Sequence, residues 1–125
     1  MLSRILLHLA RNRDFPEGSS ERGYEIVAPL TGARHLDVEA WRKHRSDCRV
    51  RRFWTGAADR YGRLVHHAGG PGGATWRIDY DDMNGDGDDA AYRLDAHRFE
   101  PNEYVTIREA DGSVHTFRVA QVRPA

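Results

Sequence analysis

Tyr104-Val105-Thr106-Ile107-Arg108 and Val114-His115-Thr116-Phe117-Arg118-Val119 flank the dipeptide Asp111-Gly112. Two β-favouring runs joined through a glycine that readily takes positive φ are the strongest short-range signal of a hairpin. Alternation puts Val105 and Ile107 on the face that meets Phe117 and Val119, so this hairpin has one apolar side to bury. The same period recurs upstream, where Trp76, Ile78 and Tyr80 alternate with Thr75, Arg77 and Asp79. Residues 2–10 alternate too, with Ile5, Leu7 and Leu9 on one face. Shorter β-like runs cover 24–28, ended by Pro29, and 49–54, where Val50 and Trp54 share a side. Residues 64–67 and the pair Tyr92 and Leu94 complete the series.

Connections separate these runs. Residues 14–23 carry Pro16, Gly18, Ser19 and Ser20, a turn is expected over 58–62, and Gly69 to Gly73 breaks the strand before it. One helix is predicted, over roughly 38–47. Asp37 caps it, Glu39 sits in its first turn, and Glu39 and Lys43 stand four apart for an ion pair. Val38, Trp41, His44 and Cys48 fall along one face, and so short a helix must be held by packing Trp41 onto a sheet. The expected fold is mainly β with one short helix. It is a compact antiparallel barrel or strongly bent sheet of roughly seven or eight short strands, in one domain spanning 1–125.

Composition narrows the functional classes. Lysine and arginine together number 19, as do aspartate and glutamate, so no overall field gathers nucleic acid or an anionic membrane. A local patch must supply any such binding. Lys43 is the only lysine; the arginine bias suits bidentate anion contacts, and equally a GC-rich genome. The single cysteine, Cys48, excludes an intrachain disulfide and suits a reducing compartment. No apolar run is long enough to span a bilayer. The first 13 residues, rich in leucine and arginine and free of acids, read either as a presequence or as a first strand; the β pattern downstream favours the strand.

Two charged segments stand out. Arg42, Lys43, Arg45, Arg49, Arg51 and Arg52 are opposed only by Asp47 and interleaved with Trp41, Phe53 and Trp54. Arginines beside aromatics are what a partner interface or a single-stranded nucleic acid requires. The competing reading is a solvated helix face followed by a strand with an arginine exterior. The candidate contact set is therefore Arg42, Arg45, Arg49, Arg51, Arg52 and Trp54. The second segment is acidic, 79–89. Its Asp82-x-Asn84-x-Asp86-Gly87 matches the first half of a calcium loop, with Asp88 following. Position twelve is Arg93 where a bidentate carboxylate is required, so the metal set Asp82, Asn84, Asp86 and Asp88 competes with a solvated loop. Attraction between the basic and acidic segments would give salt-sensitive self-association.

Seven histidines offer metal chemistry only if three of them converge. His66 and His67 are adjacent and point to opposite strand faces, and no ligand spacing links His8, His35, His44, His97 and His115. Cys48 reads as a small buried residue rather than a nucleophile. No nucleophile elbow, phosphate loop or dinucleotide fingerprint is present, and no cofactor is expected.

Residues 98–108, Asp111-Gly112 and 115–119, with 48–54, resemble segments of small bacterial proteins. The resemblance implies a bacterial, cytoplasmic setting and transfers no activity or site residue. The leading expectation is a non-enzymatic protein-binding or assembly module with a protein partner or a second copy of itself, away from membranes. The alternatives are a small metal-dependent enzyme using clustered His and Asp residues, and single-stranded nucleic-acid binding through 41–54.

Overall fold

The computed structural model describes residues 2–70, 73–81, 89–91, 98–109 and 111–125, with backbone alone for 67–70, 73–75 and 89–91. Its strands are β1 Leu2–Leu9, β2 Ser19–Pro29, β3 Arg49–Trp54, β4 Ala57–Gly70, β5 Gly73–Tyr80, β6 Asp89–Ala91, β7 Tyr104–Arg108 and β8 Val114–Pro124. Each pairs antiparallel with the next, and β8 returns to β1, so the sheet closes on itself. Closure leaves β1 and β8 bonded on both sides and removes the exposed edge that an open sheet would carry. The expected barrel of mainly β structure is what the chain forms, although β2, β4 and β8 are long rather than short.

Alternation sorts the side chains. Ile5, Leu7, Leu9, Tyr24, Ile26, Val50, Leu64, Trp76, Ile78, Tyr80, Val105, Ile107, Phe117 and Val119 are all buried, two residues apart along their strands. Tyr24 and Phe117 meet edge to face across this interior at 5.2 Å. Large rings fill the lumen, so the barrel holds a packed core.

One end of the barrel is plugged. Helix α1, Val38–Lys43, follows β2 and is capped as expected: the Asp37 carboxylate accepts from the Ala40 N–H. Trp41 goes down onto the sheet, donating its indole N–H to the Leu64 carbonyl at 2.9 Å. Its ring meets those of Trp76 and His66, and Leu36 and Phe99 are buried in the same core.

Four local expectations need correction. The connection expected over 14–23 is shorter, because β2 begins at Ser19 and extends the pairing with β1. The helix stops at Lys43, and after His44 the chain takes one 3-10 turn, Arg45–Asp47. The His44 N–H bonds to the Trp41 carbonyl three residues back, which tightens the last turn and ends the α geometry. Glu39 reaches Arg42 at 3.0 Å instead of Lys43. The turn expected over 58–62 lies at Thr55-Gly56, where Gly56 has φ 88°, and β4 is already running at Ala57. Positive φ is cheap for glycine, so the turn settles there rather than at Asp59 or Arg60.

Candidate functional site

The other end of the barrel is polar. Strand direction brings the end of β3, the end of β5 and the end of β7 there, together with the starts of β2, β4 and β8. The inward positions at this end are Arg22, Tyr24, Arg52, Trp54, Arg60, Tyr80, Glu109 and His115. Register ties several into one row, Tyr24 beside Arg52 and Arg52 beside Arg60.

Arg52 is the centre of this group. It lies between Val50 and Trp54 in the alternation, so it points inward, and its guanidinium reaches Glu109 at 2.6 Å. β3 and β7 stand four strands apart in either direction round an eight-stranded ring, so this ion pair crosses the lumen. The two side chains are 15% and 10% exposed. Burial works against the charged guanidinium, but attraction and hydrogen bonding from Tyr24 and Glu109 outweigh it and hold the Arg52 pKa above its usual value. His115 stands 3.9 Å from Glu109, and its ring lies 5.2 Å from that of Trp54.

Each guanidinium here is laid on an aromatic ring. Arg52 is 4.5 Å from the Trp54 ring and Arg60 is 3.7 Å from Tyr80. Arg22 is 4.4 Å from Phe15 and 5.9 Å from Trp54. Stacking fixes the plane of a guanidinium while leaving its N–H edge directed outward from the ring. Arg22 donates to the Ser19 hydroxyl at 3.0 Å and has no carboxylate partner among the described residues. The Nε atoms of Arg22 and Arg52 are both buried without an acceptor. Buried donors are nearly always satisfied; Trp76 Nε1 at the plugged end and His35 Nδ1 are likewise without a partner, so such atoms are not confined to the mouth.

Comparison with protein-family models, with curated proteins and with solved structures finds no match. The residues themselves carry the functional reading.

The expected contact set does not share a surface. Arg42 is exposed and paired with Glu39, and Arg45 lies over the Trp41 ring at 4.8 Å. Arg49 pairs with Asp81 on the outside. Arg51 also faces out, where Arg4, Glu25, Arg51 and Asp59 form an ion-pair ladder across β1 to β4, with contacts of 3.1, 3.8 and 3.1 Å. Arg52 and Trp54 face in. Trp41 is interior, so the tryptophans of 41–54 offer no shared platform for bases.

Asp82, Asn84, Asp86 and Asp88 lie outside the described residues. Among the described residues no three His, Cys, Asp or Glu side chains come together as a metal group. His66 packs against Trp76 with ring centres 4.7 Å apart, while His44, just past the end of α1, is exposed beside Asp47. Cys48 is buried; burial first, and then the neighbouring Asp47 carboxylate, push its thiol up to about 11. A thiol held neutral in this way is a poor nucleophile at neutral pH. Among the described residues no helix is long and apolar enough to cross a membrane.

Sequence reasoning missed Glu109, His115, Tyr24 and Arg22 as a group. The signal was parity: Arg52 shares the face of Val50 and Trp54, Glu109 that of Val105 and Ile107, and His115 that of Phe117 and Val119.

Proposed function

We propose that this chain is a non-catalytic binding domain that receives an anionic group, carboxylate or phosphate, at the polar end of the barrel. Barrel mouths are a recurrent place for such sites, because several strands deliver side chains to one small volume. The observation that carries the reading is Arg22. Its guanidinium is fixed by Phe15 and Trp54, keeps a single hydrogen bond to Ser19, and faces no carboxylate among the described residues. Arg52 contributes positive charge while Glu109 holds it in place. A protein partner presenting an acidic side chain and a small organic acid offer the same chemistry. The reducing setting suggested by one buried cysteine, and the arginine-rich composition, support a bacterial cytoplasmic role.

Trp54 is the built-in reporter, since Trp41 and Trp76 lie at the plugged end. Titration with succinate and with inorganic phosphate, at fixed ionic strength, is expected to give a saturable change in tryptophan emission. The change should vanish in Trp54→Phe and weaken about tenfold in Arg22→Gln, the scale of one charge-assisted hydrogen bond. A linear response of equal slope in wild type and Arg22→Gln for both anions counts against the site.

A further inference from the structure

The outer wall of the barrel carries a second feature, which shares Ser19 with the mouth and otherwise lies outside it. Register sets five outward positions in one row across five strands: Tyr104 beside Arg118, Arg118 beside His8, His8 beside Gly23, and Gly23 beside Phe53. At the end of β1 the pairing with β2 slips between His8 and Leu9. The connection that follows turns at Gly18, with φ 72°, where an added Cβ would lie 2.6 Å from the Leu9 carbonyl oxygen. A groove of about 1250 Å³ results, running from residues 17–21 across β1 and β8 to Asn102 and Tyr104.

Its chemistry is specific in three respects. Charge is balanced: Arg11, Arg118, Glu17 and Glu21 all line the groove, two of each sign. Burial, and then Arg118, lower the His8 pKa, which keeps that ring neutral near pH 7. A polyanion therefore gains no net attraction here. Hydrogen-bonding capacity is mixed, because Ser20, Thr116 and Asn102 offer hydroxyl and amide groups beside the two carboxylates. Asn102 accepts from Arg118 through Oδ1 at 3.2 Å, so its NH2 is directed away from that contact. One aromatic face is open, since Tyr104 is 55% exposed.

A peptide strand is poorly served by this surface. β1 and β8 are hydrogen-bonded on both sides, so no backbone edge is free for strand addition. Apart from Leu9, Ala10, Gly18 and Tyr104 the lining is polar or charged, which suits an apolar side chain poorly. What fits is a ligand without net charge, dense in donors and acceptors, whose C–H faces lie flat on a ring. That description is a sugar.

We propose that the groove is a saccharide-binding site, with a pyranose ring stacked on Tyr104 and its hydroxyls bonded to the amide, hydroxyl and carboxylate groups along β1, β8 and the β1–β2 connection. The site stands whether or not the barrel mouth binds an anion.

The test is a heteronuclear NMR titration of the full chain with three neutral trisaccharides: maltotriose, cellotriose and triacetylchitotriose. At least one is expected to give saturable shifts of the Ser20, Asn102, Tyr104 and Thr116 amides. Tyr104→Ala should weaken that binding tenfold or more, and Asn102→Ala severalfold. Tyr61→Ala serves as the control, because Tyr61 is equally open at 53% but lies on β4, away from the groove; it should leave affinity unchanged. Absence of shifts with all three sugars overturns the proposal. So does binding that survives Tyr104→Ala, or a capped acidic or basic tripeptide moving these amides more than any sugar. Since the sugars are uncharged, failure here leaves the anion titration of the mouth unaffected.

Discussion

Arg52 shows how one position can be read two ways. In sequence it belongs to a run of arginines and invites an exterior reading. In the barrel its parity sends it across the lumen to Glu109. A buried pair of this kind is weak evidence for stability, because desolving two ions offsets most of their attraction. Removing one partner is different, since it strands the other. Arg52→Met and Glu109→Leu alone are each expected to destabilise the chain by about 3 kcal/mol, while the double variant recovers most of that loss. Urea unfolding of the four proteins measures the cycle. Additive losses in the double variant would mean that the two side chains act separately. If the mouth serves binding, the double variant should also lose the anion response while keeping its fold, which separates the ion pair's role in recognition from its role in stability.

At the scale of elements, the barrel has two ends built from different chemistry. The plugged end depends on α1, too short to persist alone and held by the bond from Trp41 to Leu64. The polar end depends on how β1, β2 and β3 sit together, and Gly23 sets that fit. An added Cβ there would lie 1.8 Å from the Leu7 carbonyl oxygen and 3.0 Å from the Phe53 ring. The first neighbour is backbone and cannot swing aside. Gly23→Ala is therefore expected to cost roughly 2–4 kcal/mol in thermal or urea unfolding and to broaden amide signals of His8 and Phe53. Gly112→Ala makes a fair contrast: its φ is 88° but its Cβ meets open space. It should lose only about 1 kcal/mol, from backbone strain alone. Much of this architecture was legible in advance. The 104–119 hairpin, the alternation of Trp76, Ile78 and Tyr80, and the Asp37 cap all rest on local rules, and local rules suffice for elements. The mouth was not legible, because it joins Arg22, Arg52, Glu109 and His115 across separations that only the closing pair β1–β8 brings together. Residues 49–52 misled for a related reason. Charge density suggested a shared surface, whereas period two divides any strand between two environments.

For the molecule as a whole, closure makes stability depend on groups held neutral within or against the wall. His8 is one: burial, then Arg118, lower its pKa below the ordinary 6.5. The unfolded chain therefore binds this proton more readily than the folded one. His8 contributes stability that is present above about 6.5 and is lost as pH falls toward its folded value. Cys48 has the opposite sign. Its thiol is raised from 9.0 to about 11, so its contribution is present below 9.0 and is lost as pH climbs toward 11. Complete loss of a shift of that size is on the order of 2 to 3 kcal/mol. The exposed Asp111 is lowered from 3.8 by hydrogen bonds from Ser113, and its effect sits at more acidic pH, clear of the His8 limb. The expected profile is a plateau from about pH 6.5 to 9 with a decline on either side. Urea midpoints measured from pH 5 to 10.5 should show both declines in the wild type. His8→Gln is expected to flatten the acid side alone, and Cys48→Ala the alkaline side alone, after each curve is scaled to its own plateau. Should Cys48→Ala fall as steeply as the wild type above pH 9, the buried thiol is not what ties the barrel to a neutral solution.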